Sequence, residues 1–357
     1  MSAPIEARGL RRTFGDVVAV EEVDLEVRDG EVFGFLGPNG AGKSTTVRML
    51  TTLLRPTAGW ARVAGYDVVT DADAVRRSIG VALQDAAIDP LMTGNELVQL
   101  QATLHGIGRA EARRRGAELL ERVGLTAAGD RRVGGYSGGM RRRLDLAMSL
   151  VHEPAVLFLD EPTTGLDPMS RIALWEEVRN LNTERGTTVL LTTQYLEEAD
   201  QLAGRIAIID HGRIVSEGSP ADLKAEVGAP TLVLRVDPDH REAVATLVAE
   251  RFGGARPAPR PDDIAVGLSG GAGAMAEVVR SLDELGAVIE HVELNEPSLD
   301  DVFAEATGRR LEGAEDAGGT DLGSDDGPGG DGSGADAVGA AAGGRGAGRR
   351  RRRRRGG

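Results

Sequence analysis

The sequence predicts an α/β protein with a mostly parallel central sheet, a small α+β appendage and a disordered tail. Three observations carry that prediction. Strand-like apolar runs alternate with helix-period segments between residues 4 and 228, the order that builds a parallel sheet. The glycine-rich GPNGAGKST (Gly37–Thr45) lies between a strand-like run and a helical one, the context that a phosphate-cradling loop needs. Residues 309–357 are rich in Gly, Ala, Asp and Arg and include the run Arg349–Arg355, a composition with too little apolar surface to bury a core.

Taken in order, residues 4–36 read as strands. VVAVEEVDLEV (Val17–Val27) is β-branched with partial alternation, Asp29-Gly30 marks a turn, and EVFGFLG (Glu31–Gly37) is a short apolar strand leading into the glycine loop. Thr45–Leu54 reads as a helix. Residues 85–155 read as a helical subdomain, with helical spacing in NELVQLQATLHG and RAEARRRGAELLERVGL. Within it, YSGGMRRRLDLAMSL (Tyr136–Leu150) opens a helix with two glycines. Each costs about 1 kcal/mol against alanine, so the backbone there is expected to stay bare for a close approach. AVLFLDEP (Ala155–Pro162) is a buried-type strand ending in two acids, LWEEVRNLNTERG a helix closed by Gly186, and TTVLLTTQ the next strand. RIAIIDHGRIVSEG (Arg205–Gly218) reads as a hairpin that closes the first domain, 4–228. In the appendage, 230–308, TLVLRV, DIAVGL and AVIEHVEL read as strands, while REAVATLVAERFG and AGAMAEVVRSLDELG read as helices. No chemical motif stands out there.

Composition narrows the function. The chain has 357 residues, with 42 Lys and Arg against 56 Asp and Glu, a net charge of −14. The tail holds ten arginines and eight acids, which leaves the body more acidic still, unlike a nucleic-acid-binding domain. No nucleic-acid partner is expected. The arginine run has the charge to touch anionic lipid or nucleic acid; a drifting extension is the plainer reading. There is no cysteine, which excludes disulfides and cysteine-zinc sites. The stretch MSAPIEARGLRRTFG lacks the apolar core of a secretory signal. No apolar run approaches the roughly 20 residues of a membrane helix, so any membrane role is expected to come through a partner.

The glycine loop is the first chemical element. Gly37, Pro38, Asn39, Gly40, Ala41, Gly42, Lys43, Ser44 and Thr45 fill the pattern G-x-x-x-x-G-K-[ST]. The glycines let backbone N–H groups wrap the phosphates, Lys43 reaches the terminal phosphates, and Ser44 offers a hydroxyl to Mg2+. The helix start adds favourable partial charge. VLFLDEP supplies the second element. Its strand delivers Asp160 to the magnesium shell, and Glu161 is placed to orient or deprotonate an attacking water. The two together predict a nucleoside triphosphatase that takes ATP and Mg2+.

Lys43 and YSGGM lie about 100 residues apart, and Asp160 follows about 20 later. That order resembles the ATP-binding cassette (ABC) family, whose ATPase domain is a P-loop NTPase with a mixed-sheet core and a helical subdomain. The family signature is usually Leu-Ser-Gly-Gly-Gln; here Tyr136 and Met140 replace its ends. The resemblance implies that Ser137, Gly138 and Gly139 face the γ-phosphate of ATP held by a second subunit. It further implies that Gln84 senses magnesium and couples to a membrane partner, and that Asp167, in Gly165-Leu166-Asp167, lies in a loop across the dimer seam. Phe14 would stack on adenine, with ordinary core packing as its alternative. Gln194 stands where the family usually has histidine. Its amide can donate to the γ-phosphate and cannot carry a proton, which leaves Glu161 as the base and predicts slow but real hydrolysis.

FGDVVAVEEVDLEV, LLTTQYLEEADQLAGRIAIIDHGRIVSEGSP and LNEPSLDDVFAEATG narrow the resemblance, across residues 5–308, to the daunorubicin/doxorubicin-resistance ATP-binding subunits of antibiotic exporters. That implies a homodimer on the cytoplasmic face of a bacterial cell membrane, with separate permease subunits that handle a hydrophobic drug-like substrate. Exporters of lipid, polysaccharide or nodulation factor share much of this pattern. A soluble regulatory or nucleic-acid-associated ATPase is the alternative of a different class.

Overall fold

A computed structural model describes residues 3–83, 88–252, 255–256, 260, 262–268 and 271–309. The elements follow the chain. β1 (Ile5–Phe14) and β2 (Val17–Val27) form an antiparallel pair, and β3 (Val32–Leu36) runs into the glycine loop and α1 (Lys43–Leu50). β4 (Ala58–Val63), β5 (Tyr66–Asp67), α2 (Ala72–Ser78) and β6 (Ile79–Ala82) follow. The helical subdomain contains α3 (Gly94–Leu104), α4 (Arg109–Arg122) and α5 (Gly138–Leu150). The chain then alternates through β7 (Val156–Asp160), α6 (Pro168–Arg185), β8 (Thr188–Thr193), α7 (Leu196–Leu202) and β9 (Arg205–Asp210). β10 (Arg213–Gly218) and α8 (Pro220–Val227) complete this part.

These strands hydrogen-bond in the order β5-β4-β1-β2-β10-β9-β3-β8-β7-β6. From β9 through β3, β8 and β7 to β6 the pairing is parallel. Every residue of β3, β7 and β8 is buried, because helices cover both faces of a parallel sheet and its strands read as continuous apolar runs. β2 instead alternates buried and exposed positions along its second half, as an antiparallel strand with one wet face does. One sheet face packs Phe33, Phe35 and Phe158 on Val47 and Leu50 of α1. The other packs Leu157, Leu159 and Leu191 on Leu144, Ala147 and Leu150 of α5 and on Leu174 and Val178 of α6. The register pairs Leu36 with Thr193 and Asp160 with Thr192. Three strands therefore deliver the glycine loop, the acid pair and Gln194 to one carboxyl edge of the sheet, where α/β proteins place their ligands.

The second sheet, in the order β12-β13-β11-β14, comprises β11 (Thr231–Val236), β12 (Ala255–Arg256), β13 (Ile264–Gly267) and β14 (Ile289–Asn295). α9 (Arg241–Arg251) and α10 (Gly271–Glu284) accompany it, with Val244, Val248, Val278 and Leu282 packed on Leu232, Leu234 and Val266. The final helix, α11 (Leu299–Thr307), starts on a capping box between Ser298 and Asp301. Its Leu299, Val302 and Phe303 pack on Leu36, Ala199, Ile206, Ile208 and Leu223. α1 begins at Lys43, two residues before the expected start, and stops at Leu50, because Thr52 turns the backbone to φ 67°. The arginine run lies outside the described residues.

Candidate active site

The glycine loop packs against β2 on one side. At Gly42, with φ 109°, an added Cβ would lie 2.7 Å from the Ala19 carbonyl oxygen, so only glycine fits there. Gly37 N–H donates to the Thr193 carbonyl at 3.3 Å, and Ala41 N–H closes the loop onto Pro38 at 3.2 Å. Gly40 and Asn39 at the loop tip are exposed. Lys43 is buried, and its ammonium donates to the carbonyls of Gly37 (2.6 Å) and Pro38 (3.0 Å). It also lies 3.5 Å from Glu161 Oε1. Burial pushes the Lys43 ammonium below its ordinary value, and the charge of Glu161 works against that. Ser44 and Thr45, half-buried, start α1.

Asp160 is buried at the end of β7 and accepts from Ser44 Oγ (3.1 Å) and Thr192 Oγ1 (2.6 Å). A serine hydroxyl beside one carboxylate is an all-oxygen set that fits Mg2+, which is commonly held by one or two carboxylates plus substrate phosphates. Glu161 has φ 48°, a left-handed conformation that costs a non-glycine residue about 1–3 kcal/mol and persists only where neighbours enforce it. Its N–H donates to Thr192 O and Oγ1, at 3.1 and 3.0 Å. Thr164 Oγ1 donates to Glu161 Oε2 at 3.3 Å. From α5, the Arg142 guanidinium donates to the carbonyls of Asp160 (2.7 Å), Pro162 (2.9 Å) and Leu83 (2.6 Å). Asp145 Oδ2 accepts from it at 3.3 Å.

The signature forms the tip of α5. Ser137 is the N-cap and accepts from Met140 N–H at 3.2 Å, as capping serines do. The two glycines differ. A Cβ on Gly139 would meet Ser170 Oγ at 2.8 Å, whereas a Cβ on Gly138 would meet nothing within 4 Å among the described residues. A side chain at Gly139 would therefore crowd Ser170 at the start of α6 within the chain itself, while Gly138 is open. Asp167 caps α6, accepting from Ser170 N–H (3.0 Å) and Ser170 Oγ (2.6 Å), so the 165–167 loop and the signature tip meet through one serine. A cleft of about 370 Å3 lies between Gly138 and Arg142 on one side and Glu161 and Thr164 on the other. Tyr136 is buried and donates to the Ala128 carbonyl at 2.7 Å, which docks the tip onto the helical subdomain; Met140 packs on the same core.

Phe14 is 45% exposed, with the Arg12 guanidinium 4.5 Å from its ring centre. It ends β1 opposite Val17, two residues from the Ala19 carbonyl that walls the glycine loop. Core packing is not its role, and its ring is available to a planar ligand. Gln194 is half-buried, immediately after β8 and next to the carbonyl that holds Gly37. Gln84 lies outside the described residues. Sequence reasoning missed Thr192, Ser170 and Arg142. The first two are ordinary hydroxyl residues in a strand and a helix, and Arg142 sits in RRR, which reads as a solvated charged run.

Among the described residues no helix is long and apolar enough to cross a membrane. Residues 20–164 match the ABC transporter family. The daunorubicin resistance ATP-binding protein DrrA3 of Streptomyces coeruleorubidus is 49% identical over 319 residues, covering 87% of this chain and 98% of its own length. The daunorubicin/doxorubicin resistance ATP-binding protein DrrA of Streptomyces peucetius is 48% identical over 308 residues, 85% of this chain and 92% of its own. A solved dimeric bacterial ABC transporter cassette superposes with a TM-score of 0.57 at 27% identity, over 60% of this chain and 98% of that one. With relatives of that identity along most of its length, the chain belongs to the ABC transporter family, among the daunorubicin- and doxorubicin-resistance ATP-binding proteins, and is an ATP-binding, ATP-hydrolysing transporter subunit.

Proposed function

We propose that two copies of this chain close around two ATP molecules and drive efflux of a hydrophobic, anthracycline-like drug through separate permease subunits at the cytoplasmic face of the membrane. Each site would join Gly37–Thr45 of one copy to Ser137, Gly138 and Gly139 of the other. The observation that carries this reading is the unequal pair of signature glycines: Gly139 is closed by its own chain and Gly138 is open. An exposed serine-led helix tip with N–H groups free to donate suits an anion brought from outside. The likeness to drug-resistance subunits, which extends through the second sheet, supports the drug class.

The chemistry follows from the residues. Lys43 and the loop N–H groups hold the phosphates and offset charge that grows on the γ-phosphoryl group. Ser44 and Asp160 would hold Mg2+, which would supply positive charge to offset that of the phosphates. Glu161, freed from Lys43 as that ammonium turns to phosphate, orients the water and takes its proton as the water oxygen attacks the γ-phosphorus and the bond to the bridging oxygen breaks, so that ADP leaves with that electron pair. Gln194 donates its amide to the γ-phosphate. Force would pass to the permease through residues 85–135. The test is Glu161→Gln, which should trap an ATP-bound dimer resolvable by size-exclusion chromatography. A variant that stays monomeric in saturating ATP would overturn the scheme.

A further inference from the structure

One side chain outside the assigned machinery reaches the catalytic turn from another element. Arg142 is held off the surface on the second turn of α5, and its guanidinium donates to the carbonyls on both sides of Glu161, those of Asp160 and Pro162. The same guanidinium donates to Leu83, the residue after β6. The turn it grips is the one with the left-handed glutamate. Such strain needs neighbours that over-determine it. Thr192 fixes the glutamate's own N–H, but among the described residues it is Arg142 whose side chain ties the two flanking carbonyls together. An arginine suits this task because its planar fork presents five donors in a fixed geometry.

We propose that Arg142 is a positioning residue for hydrolysis: it fastens the signature helix to the strained turn that aims Glu161, so that helix and glutamate move as one body. When the tip of α5 is drawn to a phosphate, the displacement is passed to the Glu161 turn in the same chain, without any contact between Arg142 and nucleotide. This rests on Glu161 being the base, and the experiment separates the two claims.

The full-length chain is assayed, alone and with its permease, as wild type, Arg142→Met, Arg142→Gln and Glu161→Gln. A misplacement of about 1 Å costs on the order of 100-fold in rate, so Arg142→Met should lower kcat about 10- to 100-fold while KM for ATP moves less than about threefold. Arg142→Gln, which keeps two amide donors, should recover part of that loss. Hydrogen exchange should quicken in the peptide 160–166 of Arg142→Met and stay unchanged in 37–45. If Arg142→Met does not fold, Arg142→Gln carries the same kcat-against-KM comparison. A folded variant with wild-type kcat overturns the proposal, as does a loss that falls on KM. If Glu161→Gln hydrolyses ATP normally, the base assignment fails instead.

Discussion

The glycine loop and the signature tip are both glycine-rich helix starts, yet the molecule treats them differently. Around the loop, one chain supplies everything: Ala19 closes on Gly42, Thr193 holds Gly37, and Lys43 is tied to two carbonyls and Glu161. At the signature, half of the environment is internal and half is open. Ser170 takes up the space above Gly139, and among the described residues nothing lies within 4 Å of the space above Gly138. The same residue type thus serves two ends, close packing in one place and an outward-facing backbone in the other.

The largest effect should come from the closed region. Lys43→Ala removes the cation that the loop is built around and should abolish measurable hydrolysis, with loss of ATP binding by the isolated chain; retained nucleotide binding at wild-type affinity would break the contrast. Next, Gln194→Ala should lower kcat about 10²–10³-fold, the usual cost of one preorganised donor. Gln194→His should change it far less and add a pH limb that the wild type lacks. The signature glycines give the sharpest comparison. Gly138→Val should leave the unfolding free energy of the chain in urea nearly unchanged, within about 0.5 kcal/mol, and abolish ATP-driven dimerisation of the Glu161→Gln protein. Gly139→Val should cost about 1–3 kcal/mol by overpacking on Ser170. Equal behaviour of the two variants would erase the distinction.

The smallest effect lies at the seam between sheet and helical subdomain, where Asp145 and His152 line a cleft of about 400 Å3. Burial pushes Asp145 up to about 7 and His152 down to about 4. The stabilisation tied to neutral Asp145 is present in acid and is lost as pH rises through about 7. That tied to neutral His152 is present above about 6.5 and is lost as pH falls through about 4. The two slopes oppose each other over one window. Stability to urea between pH 4 and 7 should therefore rise with pH in Asp145→Asn and fall with pH in His152→Gln.

The parallel core and its loop were legible because both obey local rules. Strands buried on both faces leave uninterrupted apolar runs, and a phosphate loop needs a fixed order of glycine, lysine and serine. The role of Gly139 was not legible, because Ser170 meets it only after α5 and α6 have packed. Arg142 was hidden for the opposite reason: among three arginines, nothing local tells which one turns inward. The strands β4 and β5 were passed over, since AGWARVAGYD carries weak periodicity. α11 appeared only as part of a family likeness, because nine residues with a capping box say little about where the helix will dock.

That docking has a consequence for the chain as a whole. Phe303 and Val302 of α11 share a core with Leu36, and Leu36 immediately precedes Gly37. The segment bearing the second sheet is thus stapled to the ATPase at both of its ends, and its far staple reaches the root of the phosphate loop. A protein cut back before Leu299 would lose more than an appendage: the underside of the strand that presents lysine to nucleotide would lie open to water.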